Sequence, residues 1–188
     1  VIVRNVRTLL VVACTLALAA LVAAIVGALR PSAALAPDFT LTDQNGAPFT
    51  LSGLRGRPVA LFFGYAHCAD ACPLVLARLA KVARAPGSAR DLHVVFVTVD
   101  PERDSPAALK RYLAQFDPRF VGATGSAAQL APVYAAYHIA HAAVSPSAGK
   151  SLEIEHETAV FLIGRDGGMR GIVPGDEDVA TLAKEFAI

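Results

Sequence analysis

The sequence predicts a three-layer α/β sandwich that opens on an N-terminal β-hairpin and is preceded by one transmembrane helix. Three observations carry this reading. An uncharged apolar run occupies Leu9 to Leu29, short β-branched runs alternate with helical stripes from Val59 onward, and a last pair of strands about Gly167-Gly168 leads into a closing helical stretch.

At about 1.5 Å rise per residue, Leu9–Leu29 is long enough to cross a bilayer core of roughly 30 Å. Arg4 and Arg7 precede it, so the positive-inside rule holds the short N-terminus in the cytoplasm, with Arg30 on the far side weakening the bias. A cleaved signal peptide is the competing reading, because Ala34-Leu35-Ala36 has the small-x-small form of a cleavage site. Against it, the run exceeds the roughly 7–15 residues of a signal h-region, and Pro37 would follow the cut. Both readings export the rest of the chain. The expected location is the cytoplasmic membrane, crossed once, with the soluble domain on the periplasmic or other extracytoplasmic side. The expected divisions are residues 1–30 as anchor, 31–37 as a Pro/Ser/Ala linker and 38–188 as the folded domain.

Within that domain, Asp38–Thr42 alternates polar with apolar, Asp43-Gln44-Asn45-Gly46 is turn chemistry, and Pro48–Leu51 resumes the alternation, as in a hairpin. Val59 to Gly64 is a continuous apolar run of the kind buried on both faces of a sheet. From Pro73, Leu74, Leu76, Leu79, Ala80 and Val82-Ala83 approximate a helical stripe, with a cysteine segment in its first turns. Leu92–Val99 is a second strand. Ser105 with Pro106 marks the start of a helix running to about Phe116. Ser126 opens a third helix, with Pro132 requiring an early-turn position or a kink. Thr158–Ile163 is a buried strand that turns at Arg165-Asp166-Gly167-Gly168 into Met169–Val173, and Asp176–Phe186 closes the chain as a helix. This order of elements is that of a thioredoxin-like sandwich.

With 188 residues, 54% of them apolar, the chain can bury one full-sized core besides the membrane run. A formal net charge of +1 leaves no basic face for a nucleic acid, so proteins or small ions are the expected partners.

Of the three cysteines, Cys14 lies inside the apolar run, where a thiol acts as a small apolar residue. Cys68 and Cys72 are thus the pair in the exported part. Four residues apart, they share one face if the stretch is helical, and a thiol in a first helical turn meets the positive end of the helix dipole, which favours thiolate. Thiolates select soft metals, and two sulfurs alone make a poor closed site. Among the five histidines, His156 stands just before the strand Thr158–Ile163, whose entry lies beside the cysteine loop in a sheet of this type. Cys68, Cys72 and His156 form a donor set suited to Cu(I) and able to hold Cu(II); structural zinc would ask for a fourth protein ligand. Taken alone, a C-x-x-x-C pair in an exported protein is at least as often a redox or structural disulfide. His67, beside Cys68, either tunes the thiol or packs, and Asp70 either caps the helix or shares in the chemistry. His93, His138 and His141 are left without a role.

Three stretches resemble the SCO/SenC family of copper-binding assembly proteins for cytochrome c oxidase. Phe63-Gly64-Tyr65-Ala66-His67-Cys68-Ala69-Asp70-Ala71-Cys72-Pro73 is similar to the family's cysteine signature, Val97–Pro106 to its VDPERD element, and Glu155–Val160 to its histidine loop. Two departures are Ala69, where proline is usual, and Glu157, where a smaller or hydroxyl residue is usual. The resemblance implies Cys68, Cys72 and His156 as copper ligands, the binuclear copper centre of cytochrome c oxidase subunit II as the recipient, and an anchored topology.

Two functions compete. A metallochaperone hands its copper on by ligand exchange and is not an enzyme, whereas a thiol–disulfide oxidoreductase reduces the cysteines of the oxidase subunit through the redox pair Cys68 and Cys72. Oxidoreductases of this fold usually carry C-x-x-C and a proline just before the strand matching Thr158–Ile163. This chain has C-x-x-x-C and no proline from Lys150 to Ile163. A peroxidase would leave His156 unexplained.

Overall fold

The computed structural model describes residues 12–13, 15–22, 33–85, 91–144, 153–156, 158–178, 181 and 184, and for 141–144 and 153–156 it describes the backbone. The chain divides into two compact units, Val1–Ala33 and Ala34–Ile188. In the first, residues 12–13 and 15–22 are helical, with Leu16, Leu18 and Leu21 exposed. No helix among the described residues is long and apolar enough to cross a membrane, and the remainder of the predicted span lies outside them.

The second unit is built on a mixed sheet. β1 (Thr40–Asp43) and β2 (Pro48–Thr50) form the expected hairpin, with Gly46 at φ +82° in its turn, a conformation that a Cβ disfavours. β3 (Val59–Gly64), buried at every position, runs parallel to β4 (His93–Thr98), and β4 runs parallel to β5 (Val121–Thr124). β8 (Ala159–Ile163) pairs antiparallel with β3, and β9 (Met169–Pro174) antiparallel with β8. The strand order is β2-β1-β5-β4-β3-β8-β9. A second, two-stranded sheet joins β6 (His141–Val144) to β7 (Glu153–His156).

Alternation along β3 sends successive phenylalanines to opposite faces. Phe62 meets Phe96 of β4, whose ring in turn meets Tyr112 of α2 (Pro106–Leu113). Phe63 faces the other way, against Phe161 of β8, Tyr134 of α3 (Ala127–Ala136) and Tyr137 just beyond it. α1 (Ala71–Arg84) lies on the Phe62 side, because its Cys72 sulfur packs against Gly64 together with Phe62 and Phe96. Among the described elements, α1 and α2 on one face and α3 on the other give the three layers that the sequence predicts. The buried stripe Cys72, Val75, Leu76, Leu79, Val82 and Ala83 fixes α1 to the sheet. Each large side chain in such a stripe contributes about 1.5–3 kcal/mol of apolar transfer.

The helix starts follow the sequence signals. Ser105 accepts a bond from the Ala108 N–H with Pro106 following, and Ser126 with Gln129 forms a complete capping box. Pro132 falls inside α3. Asp178 accepts from the N–H and hydroxyl of Thr181, an N-cap pattern at the start of the expected closing helix, of which Thr181 and Lys184 are described as helical. Asp117, buried beneath Arg84 and Arg119, accepts from both guanidinium groups and from the Arg119 N–H. It links the end of α1 to the segment before β5.

Candidate metal centre

β3 delivers the chain to the cysteines. Beyond Gly64 the backbone turns through Tyr65 to Asp70, and α1 begins at Ala71, so Cys68 stands ahead of the helix and Cys72 in its first turn. The sequence reading placed both in the first helical turns, where i,i+4 side chains stack on one face. The helix begins later, and the cysteines meet differently: the Cys68 sulfur accepts the backbone N–H of Cys72 at 3.4 Å. Cys68 therefore occupies the position of an N-terminal anion acceptor, facing the open amides of the helix.

The two thiols have divergent environments. Cys72 is fully buried and Cys68 half-buried. A hydrogen bond from the Cys72 thiol lowers the pKa of Cys68 to about 5, and the amides of Cys72, Asp70 and Ala71 act in the same direction against the cost of burial. Cys72 moves upward, because it holds the shared proton beside Cys68 and is buried. The space for its sulfur exists because residue 64 is glycine: a Cβ there would stand 2.9 Å from the Cys72 Sγ and 2.9 Å from Phe96 Cε2.

Acidic groups lie behind the loop. Asp104 is fully buried; its Oδ2 accepts from the Thr98 hydroxyl at 2.7 Å and from the Ala66 N–H at 3.1 Å. Its Oδ1 lacks a hydrogen-bond partner and lies 3.6 Å from His67 Nδ1. Burial raises the Asp104 pKa, against the hydrogen bond from Thr98 and that from Ala66. One atom each of His67, Asp100 and Asp104 lie within 4.8 Å of one another, but Asp100 already pairs with the Arg103 guanidinium, which also lies 5.9 Å from the Tyr65 ring centroid. The buried Tyr112 hydroxyl also has no hydrogen-bond partner, and burial first, then the nearby acidic groups Cys72, Cys68 and Asp104, raises its pKa. His67 is thus a neighbour of Asp104, and Asp70 stands at the N-cap of α1 without a side-chain capping bond, which removes the capping reading.

His156 was expected in a loop and ends β7 instead. Its side chain lies outside the described atoms, as does Glu157, while its place in the fold is set by β8. Phe62 of β3 pairs with Val160, so the start of β8 lies at the end of the sheet where β3 releases the cysteine loop. Gly175, at the end of β9, is packed between the Thr158 carbonyl and Val75 of α1, one turn beyond Cys72. Its carbonyl accepts from Arg78 of the same helix at 3.0 Å. The backbone two residues after His156 is thereby placed beside the cysteine helix. The remaining histidines fall elsewhere: His93 Nε2 is 3.1 Å from Arg57 Nη1, and His138 follows α3 at φ +54°. His141, however, is the register partner of His156.

Asp100, Asp104 and Tyr112 received no role from sequence. The acidic pair could have been found from its place in Val97–Pro106, since a buried aspartate four residues from another demands partners; Tyr112 is on an ordinary amphipathic helix and carries no such signal.

A family model described as SCO1/SenC matches residues 27–187. The mitochondrial SCO2 homologue of Mus musculus is 38% identical over 143 residues, which cover 74% of this chain and 56% of that protein. A Stutzerimonas stutzeri protein named for copper binding is 34% identical over 145 residues, covering 76% of this chain and 71% of that one. The chain spans about half the length of the mouse and bovine SCO2 homologues. Among solved structures, ScoI of Bradyrhizobium japonicum with copper bound is similar at a TM-score of 0.72 and 36% identity, covering 81% of this chain and 98% of that one.

Proposed function

The chain belongs to the SCO1/SenC family, and from that premise we propose that it carries copper for cytochrome c oxidase assembly, binding it through Cys68, Cys72 and His156 and passing it to the copper centre of oxidase subunit II. The observation that carries the reading is the sulfur pair itself. One thiol is held as thiolate at a helix N-terminus and the other is lodged in a space left by Gly64, within one backbone bond of each other. Two soft sulfur donors suit Cu(I), and a third donor from the entry to β8 would complete a three-coordinate site. The likeness to a copper-bound ScoI at 36% identity supports it.

The first unit supports a membrane anchor. Its described helical residues are apolar apart from Thr15, whose hydroxyl donates to the Val12 carbonyl, and they expose Leu16, Leu18 and Leu21, as a lipid-facing helix does. On this reading the copper domain stands on the extracytoplasmic side.

The second reading, a thiol–disulfide oxidoreductase acting on the same subunit, is favoured by the asymmetry of the thiols, since an attacking thiolate beside a buried protonated partner is what exchange needs. A disulfide between Cys68 and Cys72 would consume both copper ligands, so the two activities exclude each other in one molecule at one time. Titration of the reduced full chain in detergent with Cu(I) against a competing chelator separates them. One-to-one binding that weakens at least about ten-fold in His156→Ala, with disulfide formation intact, supports the carrier. Binding indifferent to His156, together with turnover of dithiol substrates by the variant, supports the oxidoreductase.

A further inference from the structure

The two ends of the main sheet differ in charge. At the end where β3 begins, the turn before β3 and the turn after β8 are tied together: the Gly56 N–H donates to the Arg165 carbonyl at 2.7 Å, and the Arg165 guanidinium donates to the Gly56 carbonyl at 2.9 Å. Arg55 and Arg57 flank that contact, Arg57 standing beside His93 at the start of β4, and Arg170 reaches back to Asp166 in the second turn. Arg84 and Arg119, which share Asp117, belong to the same end. Arg119 stands two residues before Val121 and His93 two before Val95, and Val121 and Val95 are register partners. Among the described residues, these six exposed arginines are set against four aspartates, Asp38, Asp91, Asp117 and Asp166. The end that releases the cysteine loop has the opposite balance, with Asp70, Asp100, Glu102, Asp176 and Glu177 outnumbering Arg78 and Arg103. Without Arg4, Arg7 and Arg30, the 17 basic residues of the chain fall to 14 against 16 acidic ones, so the arginine end is a local excess in a unit whose own balance is negative.

The chain also enters the domain at the arginine end. The Met169 N–H donates to the Ala34 carbonyl at 2.8 Å and the Ala36 N–H to the Gly167 carbonyl at 2.9 Å, which fixes this segment against the β8–β9 turn and leaves Leu35 61% exposed. Five residue steps separate Leu29, the last of the apolar run, from Ala34, a reach of at most about 18 Å.

We propose that the arginine end docks on the anionic headgroups of the membrane that holds the apolar run, turning the cysteine loop away from the bilayer. The inference rests on the reading of residues 1–30 as a membrane anchor. Guanidinium groups pair bidentately with phosphate, and basic side chains held near a negatively charged leaflet are attracted over about 8–10 Å at physiological salt. Exposed Leu35 adds an apolar contact at the headgroup boundary. The same surface repels the acidic end, so charge sets the orientation as well as the contact. β3 is six residues long, about 20 Å at strand rise, and the cysteines stand off from the lipid by about that length. In that position they are open to a partner whose metal site lies above the bilayer.

The chain contains no tryptophan, so a single reporter can be set at either end: Gln115→Trp, exposed just beyond α2 beside the Phe116 carbonyl that accepts from Arg84, or Leu74→Trp, exposed in the first turn of α1. The full chain is placed in nanodiscs of phosphatidylcholine alone or with about 30% phosphatidylglycerol, each containing lipid with a nitroxide on its headgroup as the quencher. The expected result is quenching of Gln115→Trp at least about three-fold stronger in the anionic discs, an excess lost between about 0.05 and 0.5 M salt, with Leu74→Trp indifferent to both changes. Adding Arg55→Gln and Arg57→Gln to the Gln115→Trp chain weakens docking about five-fold per arginine. The salt series tests the same attraction with every arginine in place. Quenching of Gln115→Trp that is equal in neutral and anionic discs, with the chain retained in both, overturns the docking and leaves the anchor standing. Stronger quenching of Leu74→Trp than of Gln115→Trp overturns it too, by reversing the orientation. A chain washed from the discs by high salt overturns the anchor and the docking together.

Discussion

The segment that carries Cys68 and Cys72 and the segment that carries His156 are built on different foundations. The cysteine loop leaves β3, which is paired on both sides, and it is tied through the Ala66 N–H to the buried Asp104 and through Cys72 to Gly64, Phe62 and Phe96. His156 ends a ribbon whose strands pair with each other and, among the described residues, with no strand of the main sheet. A two-stranded hairpin on its own is marginal in water, so its stability derives from what it packs on. The difference teaches that the two cysteines are rooted in the main fold, while His156 is carried by a separate ribbon. Damage to the first half should cost both copper and fold; damage to the second should cost copper alone.

The largest effect expected is on metal affinity. Replacing Cys68 or Cys72 with serine should weaken Cu(I) binding by more than about a thousand-fold, because a hydroxyl is a hard donor that stays protonated. His156→Ala should leave the melting temperature within about 2 °C of the parent while still weakening copper. A serine variant that binds within ten-fold of the parent, or a melting temperature that drops with His156→Ala, would break the division just drawn.

Next in size is Asp104→Ala. It leaves the Ala66 N–H and the Thr98 hydroxyl without their buried acceptor, at roughly 1–3 kcal/mol each, so chemical denaturation should show a loss of about 2–6 kcal/mol. An unchanged midpoint would mean that the cysteine loop is not held from below. Smaller again is Gly64→Ala, which forces a methyl to within 2.9 Å of the Cys72 sulfur and should cost about 1–3 kcal/mol together with a measurable fall in copper affinity. Loss of stability without loss of copper would show that the sulfur tolerates displacement.

The smallest effect lies outside both halves and sets the background. Asp117 has its pKa lowered from 3.8 to about 2, first by the hydrogen bond from Arg119. A depressed folded-state value means stabilisation that is complete above pH 3.8 and is lost as the pH falls toward 2. Because Arg84 and Arg119 are more than half exposed, the contribution is about 1 kcal/mol. Denaturation midpoints of the parent should drop across that window more steeply than those of Asp117→Asn. Parallel curves would assign the acid sensitivity elsewhere.

Local pattern was sufficient where a single element carried its own signal. The apolar run Val59–Gly64, the Ser105-Pro106 start and the Ser126 start each lie within a residue of their observed positions, because burial on both faces and N-capping are decided by neighbours in sequence. The ribbon was not legible. Ala142, Ala143 and Glu153 have little strand preference, and a two-stranded sheet forms only when a distant segment of matching register is present. The start of α1 was misplaced for a related reason: Cys68, Ala69 and Asp70 are compatible with a first turn, whereas the loop before them is tied at Ala66 to Asp104, thirty-eight residues away.

What the sequence determined by itself was therefore the alternation of elements and the delivery of Cys68 and Cys72 from the end of β3 to the start of a helix, because hydrophobic period and spacing are properties of residues close together in the chain. The tertiary structure decided which thiol faces the helix amides, which carboxylate lies beneath the loop, and which histidine stands opposite His156. Those relations join segments tens of residues apart, and they are fixed by sheet register and by the room that Gly64 leaves, neither of which is written in any local stretch.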